Sequence, residues 1–168
     1  MTSLVESPEP GAKVDDVAVP QKRLLLVDDD PAIRQLLMRL LTDENYCVLT
    51  AANGAEALVL AKSMNIDLVV LDLNMPVKDG WETFEQLSSV NPLLPFILIT
   101  ARPNQFSPAM AAGVGALLEK PLDFAKLFDT IRNLLEEPPE VRLARMAGHP
   151  ALFRYVPPKP ETRERKAH

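Results

Sequence analysis

Five short apolar runs separated by amphipathic segments constrain this chain more than any other feature. They lie near residues 23–27, 46–50, 68–71, 95–99 and 116–119. Runs of strand length that read as buried on both faces, alternating with segments of helical period, describe an α/β domain with a parallel sheet. Between the first two runs, Ile33, Leu36, Leu37, Leu40 and Leu41 recur at the spacing of one helical face. Pro31 suits the first turn of that helix, where a missing N–H costs nothing, and Asp30 can cap it. Asn53 and Glu56 have the spacing of a capping pair, which predicts a helix over about 54–64. Trp81, Phe84 and Leu87 give a third stripe, with Trp81 packing at the start of its helix. Phe124, Leu127, Phe128, Ile131 and Leu134 give a last stripe, which Pro138-Pro139 ends. Pro103 and Pro108 interrupt residues 101–115, so the fourth helix is expected to be short or irregular. The expected fold is α/β: a flavodoxin-like, doubly wound, five-stranded parallel sheet in the order 2-1-3-4-5.

Prolines and charge set the boundaries. Nine of the 16 prolines fall outside residues 21–137. Residues 1–20 therefore read as a flexible extension, 21–137 as the domain, and 138–168 as a tail. Basic against acidic residues number 10 against 16 in the central body and 7 against 3 in the tail. An acidic body would repel a phosphate backbone, which argues against direct nucleic-acid binding by the domain. The tail is expected to be largely disordered, with Val141, Leu143, Met146, Leu152, Phe153 and Tyr155 leaving room for a short docking element. A single cysteine, Cys47, cannot form an internal disulfide, and the apolar runs are too short to cross a bilayer. No membrane association and a cytoplasmic location are expected.

The strand ends carry the chemistry. Asp28-Asp29 follows the first run, Asp72 ends the third, Thr100 follows the fourth and Lys120 the fifth. In an open α/β sheet, ligands bind outside the carboxyl ends of the strands. Each residue alone has an ordinary explanation as a cap, a turn former or a strand residue; together they assemble acids, a hydroxyl and an ammonium at one rim. Three clustered carboxylates repel unless a cation binds, and Mg2+ suits oxygen ligands with room for water and a substrate phosphate. Asp72 can then serve as nucleophile toward phosphorus, with Lys120, the Thr100 hydroxyl and the metal stabilising the phosphoryl oxygens. The backbone carbonyl of Asn74 can complete the metal shell.

The strings Leu25-Leu26-Val27-Asp28-Asp29-Asp30-Pro31, Asp67 through Pro76, Asp79-Gly80, Ile99-Thr100-Ala101 and Lys120-Pro121 make residues 21–137 resemble a response-regulator receiver domain of two-component signalling. The resemblance implies that Asp72 is phosphorylated by a phosphohistidine on a sensor histidine kinase or histidine phosphotransfer protein. It implies that Asp29 binds Mg2+ directly, Asp28 through water and Asn74 through its main-chain oxygen, and that Lys120 and Thr100 contact the phosphoryl group. It also makes Lys120-Pro121 a candidate cis bond. The implied function is a stand-alone switch that changes affinity for a downstream protein, and not an enzyme beyond assisting its own phosphorylation and dephosphorylation.

Two departures stand out. Such domains usually carry an aromatic residue three positions before the lysine, and here that position is Leu117. Many also dimerise around the fourth helix, which the prolines disturb; the output surface is expected elsewhere or rebuilt by the tail. Both histidines, His149 and His168, lie in the tail, so the body has no phosphodonor of its own. Two alternatives stay open. One is a receiver-shaped interaction module that never accepts phosphate. The other is a Mg2+-dependent phosphohydrolase with an aspartyl-phosphate intermediate, which Asn74 disfavours because a second acid is usual two residues after the nucleophile.

Overall fold

The computed structural model describes residues 19–75, 80–149 and 152–161. Residues 1–18 of the expected 1–20 extension, the loop residues Pro76, Val77, Lys78 and Asp79, and the last seven residues lie outside that description.

The five expected strands are present as β1 (Arg23–Val27), β2 (Cys47–Ala51), β3 (Leu68–Asp72), β4 (Phe96–Thr100) and β5 (Ala116–Glu119). All their pairings are parallel, with order β2-β1-β3-β4-β5 as expected. β3 and β4 reach one residue further than the apolar runs, because Asp72 and Thr100 are themselves paired into the sheet. Both central strands are buried throughout, which explains why they read as continuous apolar runs without alternation.

Helices cover both faces. α1 (Pro31–Asp43) and α5 (Phe124–Leu135) cover one, burying Leu37, Leu41, Leu127, Ile131 and Leu134 against Leu24, Leu26, Val70 and Ile99. α2 (Gly54–Ser63), α3 (Gly80–Val90) and α4 (Phe106–Ala111) cover the other, with Ala57, Leu87 and Ala109 against Leu25, Val69, Leu71 and Leu98. The expected caps form: Asp30 accepts hydrogen bonds from the Ala32 and Ile33 amides, and Asn53 accepts one from Glu56. Glu56 also reaches back to accept from the amide of Ala52, one residue before the cap, 2.8 Å away. α4 has only six residues, consistent with the prolines around it.

Among the described residues the sheet has six strands, not five. β6 (Arg154–Val156) adds to the outer edge of β5, again in parallel. Three residues between proline-rich flanks are too few to show a period, so the sequence pattern does not reveal them. Pro138 and Pro139 follow the end of α5, as expected, but helical structure resumes at once. They separate α5 from a sixth helix, α6 (Pro139–Met146), in which Pro139 takes the first helical position where its ring is pre-organised. The segment expected as largely disordered thus holds, among its described residues, a helix and a strand. Among the described residues no helix is long and apolar enough to cross a membrane.

Candidate functional site

The sheet's register assembles the site. Alternation along β1, β3 and β5 sends Leu24 and Leu26, Val70, and Ala116 and Leu118 into the α1/α5 face. Two residues further, Asp28, Asp72 and Lys120 continue those same rows to the carboxyl rim. The Lys120 ammonium meets Asp72 Oδ2 at 2.8 Å. The Asp28, Asp29 and Asp72 carboxylates each place an oxygen within 4.8 Å of the others.

Asp72 is 3% exposed. Its Oδ1 accepts the Asn74 amide at 2.8 Å while Lys120 holds Oδ2, so the carboxylate is oriented from both sides. Asp28, equally buried, accepts the Asp30 amide at 2.9 Å. Its pKa is pushed up to about 6: burial is the leading cause, the Asp72 and Asp29 charges add to it, and the Asp30 amide and Lys120 oppose it. Asp29 is exposed at the mouth of the cluster. Among the described residues, two buried acids and one open acid surround the Lys120 ammonium and leave an excess of negative charge. A hard, oxygen-seeking cation relieves that excess, and the donor set fits Mg2+ in type and number.

Loops secure the rim. The Asn74 side-chain oxygen accepts the Ala101 amide at 2.9 Å, tying the loop after β3 to the loop after β4. The Lys120 amide bonds the Thr100 carbonyl at 2.8 Å, and the Lys120-Pro121 peptide is cis, as expected. Thr100 is fully buried, and its Oγ1 accepts the Arg102 amide at 2.9 Å. The structure thus brings Asp28, Asp29, Asp72 and Lys120 into direct proximity. Asn74 adjoins them through its backbone, and Thr100 stands at the end of the next strand, bonded to its own loop.

Arg34 is not singled out by the sequence, and Trp81 and Gly80 do more than the sequence indicates. The Arg34 guanidinium of α1 donates to the Asp28 carbonyl at 2.8 Å, fixing the peptide that precedes Asp29. No periodic signal marks Arg34, because a polar residue on an amphipathic helix reads as solvated surface. Trp81 packs at the start of α3 as expected, but its indole also donates to Gln105 Oε1 at 2.8 Å, bridging α3 to the residue before α4. Gly80 allows the helix after the acceptor loop to press on the strand: a Cβ there would lie 2.8 Å from the Asp72 carbonyl oxygen and nearer still to Leu73 Cα. The Asp79-Gly80 pair was a signal for it, without a reason attached.

Known proteins share this arrangement. The model of the response regulator receiver domain matches residues 24–132. The transcriptional regulatory protein GlrR of Escherichia coli (strain K12) is 42% identical over 117 residues, which are 68% of this chain and 26% of GlrR. Response regulator MprA of Mycolicibacterium vanbaalenii is 41% identical over 115 residues, 67% of this chain and 50% of MprA. The chain thus spans between a quarter and a half of the length of these curated relatives. A CheY-like receiver domain protein from Methanospirillum hungatei superimposes with a TM-score of 0.66 at 28% identity, covering 70% of this chain and 95% of that one. TrrA of Thermotoga maritima, solved in complex with Mg(2+)-BeF, gives a TM-score of 0.63 at 36% identity, covering 68% and 99%. Strand order, acid rim and matched sequence agree: the chain belongs to the response regulator receiver domain family of two-component signalling.

Proposed function

We propose that this chain is a phosphorylation-dependent signalling switch in which Asp72 accepts a phosphoryl group from a phosphohistidine on a sensor kinase or phosphotransfer protein. The observation that supports it most is the pairing of a buried, oriented Asp72 carboxylate with Lys120 beside Asp28 and Asp29. In the transfer, an Asp72 oxygen attacks phosphorus and forms the new P–O bond. The P–N bond to the donor imidazole breaks, and the nitrogen keeps the electron pair and takes up a proton. Lys120 neutralises charge on the phosphoryl oxygens, and the Thr100 hydroxyl, which uses only its lone pair toward Arg102, has its proton to donate to them. Asp28, Asp29, Asp72 and the Asn74 carbonyl would hold Mg2+, which supplies compensation for the charge of carboxylate and phosphoryl group when bound. Exposed Ile33 and Leu36, in the first two turns of α1 next to the acid rim, offer apolar surface for the donor protein. The Asn74 amide, the Lys120 ammonium and the burial of Asp72 make an interaction module without phosphoacceptance the less supported reading.

The test is intact-mass spectrometry after incubation with Mg2+ and acetyl phosphate. Wild type is expected to gain one phosphoryl mass, Asp72→Asn none. Equal labelling of both proteins, or of neither, would remove Asp72 from the role.

A further inference from the structure

The C-terminal segment takes no part in the chemistry above, yet it is attached to the strands and loops that carry it. α6 is latched by Arg145, a buried residue whose guanidinium makes two hydrogen bonds to the Glu137 carboxylate while its Nε lies 3.4 Å from the Gly113 carbonyl. Gly113, at φ 72°, lets α6 come close: a Cβ there would lie 3.1 Å from Met146 Cα. β6 then runs alongside β5, with Tyr155 opposite Leu117. An aromatic ring missing at position 117 is therefore supplied from the adjacent strand.

Three attachments join β6 to the rim. The Tyr155 hydroxyl is held beside the Glu119 carboxylate, and hydrogen bonding to that anion, its first cause, raises the phenol pKa above the usual range. The Tyr155 ring meets Phe106 edge to face at 5.4 Å, and Phe106 meets Phe153 in the same way at 5.3 Å. Phe106 is the first residue of α4, directly after the loop that Thr100 and Asn74 hold through the Arg102 and Ala101 amides. Beyond β6, the Lys159 amide donates to the Pro121 carbonyl at 2.8 Å, one residue past Lys120. Each attachment is thus one or a few residues from a group placed around Asp72.

We propose that Phe153–Val156 is the output element of the switch: it docks on β5 while Asp72 is unmodified and is released when the rim rearranges around a phosphoryl group, uncovering the β5 edge and Phe106. This rests on the reading of Asp72 as phosphoacceptor. When Thr100 and Lys120 turn toward phosphoryl oxygens, the Thr100 Oγ1 that accepts the Arg102 amide shifts with its side chain, and that bond loosens. Residues 101–105 lose a restraint, and Phe106 at their end loses its fixed position against Tyr155 and Phe153. The rest of its hold is small: three residues paired to β5, with Tyr155 41% exposed and Phe153 and Val156 only partly buried against the cores. A coupling of roughly tenfold to a hundredfold, the usual size between linked sites, suffices to open it.

Hydrogen exchange of the full chain, read by mass spectrometry over residues 152–161, tests this. With Mg2+ and beryllofluoride as phosphoryl mimic, the Arg154–Val156 amides are expected to exchange about tenfold faster than with Mg2+ alone, a shift typical of such coupling. Asp72→Asn is expected to show no change. Acetyl phosphate labelling of Asp72 with unchanged or slower exchange at β6 overturns the proposal and leaves the phosphoacceptor reading standing; absence of labelling overturns both. In Tyr155→Ala, a substitution on the protein surface, exchange at β6 is expected to be fast already and to respond no further. A response of wild-type size in that variant removes Tyr155 from the coupling.

Discussion

The centre of the sheet and its β5–β6 margin are held together by different physics. At the centre, Asp28, Asp72 and Lys120 are charged, largely enclosed and tied by short bonds to backbone amides or to one another. At the margin, β6 is held by edge-to-face rings at 5.3 and 5.4 Å, by the partly buried Phe153 and Val156, and by a few backbone bonds. Rearranging the centre means re-pairing buried charge, whereas an aromatic pair adds only about 0.5–1.5 kcal/mol beyond its area. On the proposed reading, the change starts where interactions are strong and is displayed where they are weak.

Three substitutions test that division, in falling order of effect. Glu137→Ala strands the buried Arg145 guanidinium, which costs about 3–5 kcal/mol where one partner of an enclosed ion pair is removed. Exchange protection of α6 and β6 should vanish while Asp72 still accepts phosphate. Loss of labelling together with α6 would mean that the two regions are one unit. Lys120→Ala should slow labelling by acetyl phosphate about a hundredfold to a thousandfold, the range seen when one electrostatic donor is deleted. Protection of α6 should remain, and its disappearance would break the comparison from the other side.

Asp28→Asn has the smallest effect and a sign that depends on pH. The folded-state pKa of about 6 lies above the ordinary 3.8, so the native state holds a proton that the unfolded chain has released between those values. Folding stability from this group is present below about pH 4 and declines as pH rises through about 6, by at most about 3 kcal/mol. Thermal melts of the metal-free protein should therefore show the variant more stable than wild type at pH 8 and the two converging below pH 4. Millimolar Mg2+ should narrow the gap at pH 8 by stabilising wild type. A gap that is the same at both pH values would show that the buried charge does not set it.

The same contrast explains which parts were legible in the sequence. The centre is readable because burial on two faces leaves continuous apolar runs, and because Asp72, Lys120 and Asp28 extend those runs at a period of two. Strand boundaries fall within a residue or so for the same reason. The margin is not readable. β6 has three residues, and its pairing depends on α6, whose start at Pro139 looks like a helix end until the chain is seen to restart there. The aromatic partner of α4 is expected at position 117, on the strand itself, while the ring that fills the place lies 38 residues later at Tyr155. Arg34 and Gly80 are hidden differently: one is a polar helix residue that reads as solvated surface, and the role of the other lies in close backbone approach, which composition does not record.

β6 is parallel to β5 and not antiparallel. Two chains running in one direction deliver their next residues to the same end of a sheet, so the segment after Val156 leaves the molecule beside Lys120 and Pro121 and not at the opposite pole. Any protein that grips this segment while it is docked is therefore brought to the same rim of the sheet as Asp72 and Lys120.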